Sequence, residues 1–304
     1  MGTIKQPPFL KKGDTIAIVC PAGYIDAKKV ERCIDTLKDW GFFVKVGYTI
    51  GTQHNTFSAD DKERYYDLQN MLDDKEVNAI LCARGGYGTS RIIDQLDWRI
   101  FKRYPKWIIG FSDITVLHSM LHTKLKMASI HGCMANEFNK TTVDKNDNII
   151  SLKKALTGSK INYKIPAHPL NINGKVQGQL VGGNLCVLAH QIGTPSDIDL
   201  TDKILVIEDL NEYLYSVDRM MVQLTRAHNF QELAGLIVGG FTEMKDSNPA
   251  FANSVEEVIR SFTAPFNIPT CFDFPVSHGD QNLSLKLGFT YELNIGKTVT
   301  LKEI

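Results

Sequence analysis

Residues 107–115 read W-I-I-G-F-S-D-I-T, an apolar run followed by a glycine and a serine. The pattern predicts a strand that turns through Gly110 into a helix beginning near Ser112 and Asp113. Such a turn holds a serine hydroxyl at the carboxyl edge of a sheet, where the nucleophiles of α/β hydrolases lie. The hydrolase motif G-x-S-x-G would place a glycine at position 114, where this chain has isoleucine. Ser112 is therefore either a candidate nucleophile or an ordinary helix N-cap.

The composition is that of an ordinary globular protein with 304 residues, of which 43% are hydrophobic and 22% are charged. The 34 basic residues balance the 34 acidic ones, so no net charge favours nucleic acid or an anionic membrane. The start of the chain lacks a signal-peptide core, and no apolar run reaches the roughly 18 residues of a membrane span. The six cysteines are scattered without a C-x-x-C pair, which is typical of reduced thiols. We expect a cytoplasmic protein without a nucleic-acid or membrane partner.

The order of apolar runs and helical patterns predicts two domains. Strand-like runs at 15–20, 79–82, 107–110 and 127–131 alternate with helical patterns, which predicts a parallel Rossmann- or flavodoxin-like sheet. The polar stretch 139–173 is interpreted as a connector between an N-terminal domain, 1–138, and a C-terminal domain, 174–304. In the C-terminal domain, alternation at 286–295 and 298–301 predicts antiparallel strands beside helices. The fold class is thus α/β, with an active site expected in the cleft between the domains.

A serine nucleophile needs a base within hydrogen-bond reach and an acid that orients the base. Glu208 ends the apolar run I-L-V-I, so its carboxylate is expected at the carboxyl end of a strand. His278 lies in the loop sequence F-P-V-S-H-G-D, and an imidazole can move a proton near neutral pH. Each also has a plain interpretation, because Glu208 fits a helix N-terminal acid and His278 fits a surface loop.

The glycine-rich stretch A-R-G-G-Y-G, residues 83–88, follows another apolar run. Its glycines allow backbone N–H groups to face a developing oxyanion without obstruction by Cβ atoms. The stretch lacks G-K-[ST] and G-x-G-x-x-G, so phosphate binding has little support. A tight turn that merely needs glycine is the other interpretation.

Six motifs occur in the order found in the LD-carboxypeptidase family of serine peptidases (family S66), and the resemblance spans nearly the whole chain. They are R-G-G-Y-G, G-F-S-D-I-T, S-I-H-G-C-M, G-G-N-L, I-E-D-L-N-E-Y-L-Y-S-V-D-R-M and F-P-V-S-H-G-D-Q-N. The resemblance implies that Ser112 is the nucleophile, His278 the base and Glu208 the residue that orients the base. It places the oxyanion donors at the backbone amides of Gly86 and Asp113.

The same resemblance also implies candidate substrate-binding residues and a substrate. Residues in matching motifs are candidate substrate contacts or braces of the cleft: Arg84, Gly85, Tyr87, Asn184, Glu212 and Arg219. His131 is interpreted as a structural histidine. The implied reaction is hydrolysis of an L,D-peptide bond that releases D-alanine from a cytoplasmic murein tetrapeptide during cell-wall recycling. No metal or organic cofactor is implied, and a homodimer is expected.

Three alternatives remain open at this point. A microcin-immunity-type relative of the same family cleaves a peptide–nucleotide with the same triad. Cys82, just before the glycine-rich stretch, would suit a cysteine hydrolase similar to doubly wound amidotransferases, although a buried strand thiol is the better explanation. A non-catalytic binding protein built from two α/β lobes would show the same alternation of strands and helices.

Overall fold

The computed structural model describes residues 3–139 and 145–304. The first half of the chain alternates strands and helices as β1 (Thr15–Val19), α1 (Lys28–Asp39), β2 (Phe43–Val46), α2 (Asp61–Asp73), β3 (Val77–Cys82), α3 (Arg99–Arg103), β4 (Trp107–Gly110), α4 (Thr115–Met120), β5 (Ser129–His131) and α5 (Asp147–Leu156). The second half continues as β6 (Asn162–Pro166), β7 (Gly174–Asn184), α6 (Leu185–His190), β8 (Lys203–Leu210), α7 (Leu214–Ala227), β9 (Gly235–Thr242), α8 (Val255–Thr263), β10 (Thr270–Cys271), β11 (Leu285–Leu287), β12 (Thr290–Ile295) and β13 (Thr298–Glu303).

The first sheet has the strand order β11-β5-β4-β3-β1-β2, and the pairs from β2 through β5 are parallel. Alternate residues of β1 face opposite sides, with Ile16 and Ile18 in one apolar cluster and Ala17 and Val19 in another. Both faces are therefore covered, as a parallel sheet built from βαβ units requires. The predicted parallel α/β sheet is confirmed.

The second sheet has the strand order β10-β9-β8-β7-β12-β13-β6 and mixes two kinds of pairing. Strands β7 to β10 pair in parallel, whereas β12 pairs antiparallel with both β7 and β13. Helices α6, α7 and α8 cover one face through a cluster that includes Leu205 and Ile207 of β8. The predicted mixed C-terminal unit with antiparallel strands is confirmed.

Two segments depart from the sequence-based division of the chain. The predicted connector, 139–173, contains helix α5 and also strand β6, which pairs with β13 at the edge of the second sheet. Strand β11 follows the second sheet in sequence, yet it pairs antiparallel with β5 of the first sheet. The predicted C-terminal stretch 174–304 thus contributes to both sheets, because the edge of β5 offers unpaired backbone groups that β11 satisfies.

One contact between the two halves lies beside the end of β4. The backbone N–H of Asn184, at the end of β7, donates to the Thr115 hydroxyl at the start of α4 with an N–O distance of 3.0 Å.

The longest described helix, α7, has 14 residues, and none of the described helices combines the length and apolar character of a membrane span.

Candidate active site

The turn after β4 holds Ser112 in a left-handed backbone conformation, with φ of +61°. A non-glycine residue rarely adopts this conformation outside turns, and such strain concentrates at functional sites. The chain passes from extended Phe111 through a single 3₁₀ turn, Ser112–Ile114, into α4. A Cβ atom on Gly110 would lie 2.9 Å from Cγ1 of Ile114, so glycine is required beneath the buried isoleucine. Ile114 therefore packs against the turn where the common hydrolase motif has a second glycine.

The glycine-rich loop lies directly against Ser112. A Cβ atom added to Gly85 would lie 2.9 Å from Cβ of Ser112 and 3.1 Å from its Oγ. The buried carboxylate of Asp113 accepts a hydrogen bond from the backbone N–H of Thr89, with an N–O distance of 2.9 Å. Burial raises the pKa of Asp113, although the Thr89 contacts oppose that shift. The side chain of Asp113 thus ties the loop to the turn, and the oxyanion roles of Gly86 and the Asp113 amide stay predictions.

Glu208 and His278 are in direct contact. Nδ1–H of His278 donates to Oε2 of Glu208 with an N–O distance of 2.6 Å, and Glu208 is completely buried. Its other oxygen, Oε1, finds no hydrogen-bond partner within the described ranges. A carboxylate accepts but does not donate, so this bond fixes the histidine tautomer and directs Nε2 away from Glu208.

Two effects compete at His278. Burial alone lowers the pKa of the imidazole, but the hydrogen bond and charge of Glu208 outweigh it and raise the pKa above the ordinary 6.5. The ring packs against Phe111, with ring centroids 4.9 Å apart. Because Phe111 immediately precedes Ser112, the Glu208–His278 pair borders the turn that carries the serine.

The loop that carries His278 is held by α5, a contact that sequence reasoning missed. Nδ2 of Asn148 donates to the carbonyl of Asp280 at 2.9 Å, and Oδ1 of Asn148 accepts the backbone N–H of Asn282 at 2.8 Å. The hydroxyl of Ser151, one turn further along α5, accepts the backbone N–H of Ser284 at 2.9 Å. We call these contacts of Asn148 and Ser151 with the histidine loop the clamp. The sequence did not predict the clamp, because both are isolated polar residues within the predicted connector.

A second missed residue, His118 on α4, holds the end of β4. Its Nε2 and Nδ1 atoms lie 2.9 Å from the carbonyl oxygen of Gly110 and from the hydroxyl of Ser129, respectively. Burial lowers its pKa to about 4, so the ring is neutral at pH 7 and Nε2–H donates to Gly110. His131 is also fully buried, and burial lowers its pKa to about 3, while its structural role stays a prediction.

The side chains predicted to contact the substrate differ in how far they are already hydrogen-bonded within the protein. Nδ2 of the buried Asn184 donates to Asp209 at 2.8 Å, and its Oδ1 caps α6 through the backbone N–H of Val187 at 3.1 Å. The side chain of Asn184 is thus used as a brace rather than presented to a ligand. Arg84 is exposed and donates to the carbonyl of Tyr24 at 2.6 Å.

The other predicted contacts occupy different surfaces. Tyr87 is 56% exposed at the mouth of a cavity beside Asp113. Glu212 is half-buried just after β8. Arg219, on α7, lines a different surface hollow with Ile192 and donates to the Ser216 hydroxyl at 3.2 Å.

Cysteine chemistry finds little support in the geometry. Cys82 is fully buried in β3, and burial raises the pKa of its thiol, the opposite of what a nucleophilic thiolate needs. Within residues 3–139 and 145–304, no group of three or more histidine, cysteine or acidic side chains is placed to hold a metal ion.

The fold and site define a two-sheet α/β protein in which a strained serine turn lies beside a buried glutamate paired with a half-buried histidine. Residues 16–132 match the LD-carboxypeptidase N-terminal domain, and residues 177–293 match the LD-carboxypeptidase C-terminal domain. The chain belongs to the LD-carboxypeptidase family.

Similar proteins agree with this assignment. A probable murein peptide carboxypeptidase of Bacillus subtilis is 32% identical, over 98% of this chain and 94% of that protein. The crystal structure of muramoyltetrapeptide carboxypeptidase from Oxalobacter formigenes is 27% identical and superimposes with a TM-score of 0.85, covering 95% of this chain and 98% of that one. The microcin C7 self immunity protein MccF, solved with aspartyl sulfamoyl adenosine, shares the fold with a TM-score of 0.86 at 23% identity, covering 97% and 98% of the two chains.

Proposed function

We propose that this protein is a serine carboxypeptidase that hydrolyses the L,D-peptide bond before a terminal D-alanine in murein tetrapeptide. The contact that carries the proposal is the 2.6 Å hydrogen bond between His278 and the buried Glu208, next to the strained turn at Ser112. Acyl transfer by a serine requires a nucleophile, a base and an acid that orients the base. The substrate class rests on the murein peptide carboxypeptidases that this chain resembles.

The reaction begins when Oγ of Ser112 attacks the scissile carbonyl carbon and its proton passes to Nε2 of His278. The tetrahedral oxyanion is stabilised by the backbone N–H groups of Gly86 and Asp113. The C–N bond then breaks, and Nε2 gives the proton to the departing amine of D-alanine. Water that loses a proton to the same nitrogen attacks the acyl carbonyl, which frees the shortened peptide and restores the serine hydroxyl.

Glu208 stabilises the charged imidazole during both proton transfers. Its carboxylate is buried against Nδ1, so the positive charge that forms on His278 has a partner at 2.6 Å. Electrostatic contacts of this kind are stronger where water is excluded. The raised pKa of His278 makes it a better proton acceptor, at the expense of a smaller neutral fraction at low pH.

The direct test is incubation of the purified protein with murein tetrapeptide followed by mass spectrometry for the tripeptide and D-alanine. A tetrapeptide ending in L-alanine is the matched control. The proposal predicts loss of D-alanine and little cleavage of the control. Equal cleavage of the two peptides, or cleavage of neither, would refute it.

The six free thiols fit a reducing compartment, which supports placing this reaction in the cytoplasm on peptides recovered from the cell wall. The homodimer expected from the family is part of the same proposal. Light scattering of the purified chain should give twice the monomer mass of 34.1 kDa, whereas a monomer mass would contradict it.

A further inference from the structure

One arginine of the first half, Arg64 on α2, is completely buried. Arginine is almost never fully buried unless its donors are paired, so its contacts show what the charge is used for. The guanidinium stacks on the ring of Phe57, with Cζ 4.8 Å from the ring centroid, and Nη2 pairs with the carboxylate of Asp61. Nε donates to the carbonyl oxygen of Ala59 at 3.2 Å. These contacts fix the guanidinium, while Nη1 reaches a different part of the chain.

Nη1 of Arg64 connects the two segments that border the glycine-rich loop. It donates to the carbonyl oxygens of Pro21 and Gly88, the latter at 2.9 Å. Pro21 belongs to the turn after β1, where the backbone N–H of Gly23 donates to the carbonyl oxygen of Gly85 at 3.0 Å. Gly88 ends the loop with φ of +138°, and a Cβ atom there would lie 2.6 Å from Nη1. Arg64 therefore ties the end of the glycine-rich loop to the turn that holds Gly85.

The peptide unit that joins Gly88 to Thr89 is held at both of its polar groups. Its carbonyl oxygen accepts from Arg64, and its N–H donates to the carboxylate of Asp113 at 2.9 Å. Asp113 follows Ser112, and its own backbone N–H is one of the two predicted oxyanion donors. Burial raises the pKa of Asp113, whereas the positive charge of Arg64 lowers it. Arg64 thus supports Asp113 through a shared peptide unit and through its charge.

The other predicted oxyanion donor, Gly86, lies within the segment that Arg64 closes. The carbonyl oxygen of Gly85 accepts from Gly23, and in a trans peptide the N–H lies antiparallel to the C=O group. The N–H of Gly86 therefore faces away from Gly23. A Cβ atom on Gly85 would lie 2.9 Å from Cβ of Ser112, so any rotation of this peptide unit moves the N–H relative to the serine.

We propose that Arg64 is a positioning residue, which holds the glycine-rich loop so that the N–H groups of Gly86 and Asp113 converge on the oxyanion. It acts through the carbonyl group of Gly88 and the carboxylate of Asp113. This inference rests on the proposed function and adds to it a support of the oxyanion donors that lies outside the sequence motifs. Because the oxyanion forms only on the way through the transition state, loss of this support should lower kcat and leave KM nearly unchanged.

The test is Arg64→Lys, which keeps the charge but replaces the planar fork of donors with a single nitrogen. We expect kcat for release of D-alanine to fall by about 100-fold, as a displacement of about 1 Å allows, with KM within threefold of the wild type. Arg99→Lys on α3 is the matched control, since Arg99 is exposed and pairs with Asp97. Asp61→Asn removes the ion pair of Arg64 but leaves both carbonyl contacts. It should lower the midpoint of thermal unfolding and keep kcat within twofold of the wild type.

Three results would overturn the role of Arg64 while leaving the proposed function intact. They are an unchanged kcat in Arg64→Lys, a rise in KM larger than the fall in kcat, and an equal loss of kcat in Asp61→Asn. If Arg64→Lys does not fold, Phe57→Leu takes its place, because it removes the ring stacked on the guanidinium. It should lower kcat about fivefold at constant KM, and an unchanged kcat would overturn the proposal.

If the wild type releases no D-alanine, the proposed function fails instead. Hydrogen–deuterium exchange of residues 83–91 then still tests whether Arg64 holds the loop. Faster exchange in Arg64→Lys than in the wild type and Arg99→Lys supports the assignment, and equal exchange refutes it.

Discussion

Replacing Glu208 with glutamine removes the charge beside His278 while keeping the size of the side chain. Glu208 is fully buried, and its bond to the histidine is a short charge-assisted one of 2.6 Å. A hydrogen bond to a charged group contributes about 1.5–3 kcal/mol, which corresponds to roughly a 10- to 150-fold loss of rate when the imidazolium of the transition state loses it. The amide can also donate to Nδ1 and impose the wrong tautomer, so we expect kcat to fall by about 10²–10⁴.

The Glu208→Gln substitution should also change how kcat/KM depends on pH. In the wild type the carboxylate raises the pKa of His278, so kcat/KM rises as pH passes upward through a value above 6.5. In Glu208→Gln burial remains and lowers the pKa, so the acidic limb of the profile moves to lower pH. Release of D-alanine measured from pH 5 to 9 checks both effects, and Glu256→Gln on α8 is the matched control. A Glu208→Gln variant with the same kcat and the same acidic limb of the kcat/KM profile as the wild type would refute the reasoning.

Three other predictions concern the support of the site. Asn148→Ala frees the histidine loop and should lower kcat about 10- to 100-fold, because two hydrogen bonds that position it are lost. Gly85→Ala places a methyl group 2.9 Å from Cβ of Ser112 and should lower kcat by about 100-fold with little change in KM. His118 and His131, with pKa values of about 4 and 3, should destabilise the fold as pH falls below 6.5, by about 1.4 kcal/mol per pH unit each, measured by urea unfolding.

Each of these predictions has its own contradiction. Asn162→Ala, on the exposed edge strand β6, is the control for Asn148→Ala, and equal kcat values would exclude the clamp. The clamp also predicts a pH profile altered in Asn148→Ala, which a loss of stability alone would not produce. Activity of Gly85→Ala within twofold of wild type would show that the loop does not abut the serine. A free energy of unfolding that stays flat from pH 6.5 to 4 would contradict the buried neutral histidines.

The sequence predicted those strands whose residues are buried on both faces. β-Branched runs mark β1, β3 and β4 because a parallel sheet covered by helices excludes polar residues from its strands. The edge strands β2 and β6 were not predicted, since they have only four and five residues and none of their side chains is fully buried. Strand β11 was merged with β12 because pairing with β5 depends on contacts more than 150 residues apart in sequence.

The sequence could predict those parts of the candidate site in which a single reactive side chain, such as a glutamate or a histidine, lies at a strand end or in a loop. Glu208 and His278 were named from such positions, and the structure brings them into contact, while their catalytic roles and that of Ser112 remain proposals. The supports of the site were not predictable. Asn148 reaches backbone groups 132 and 134 residues away, and His118 sits in an ordinary helical pattern.

The central claim is that Ser112 carries the acyl group, and turnover of Ser112→Ala beside Cys82→Ala tests it most directly. Release of D-alanine is measured for both variants, with folding checked by circular dichroism. Loss of a triad nucleophile typically lowers kcat by about 10⁶, so Ser112→Ala should be inactive by comparison with the wild type. Cys82→Ala should retain turnover. Wild-type-like release of D-alanine by Ser112→Ala would contradict the account.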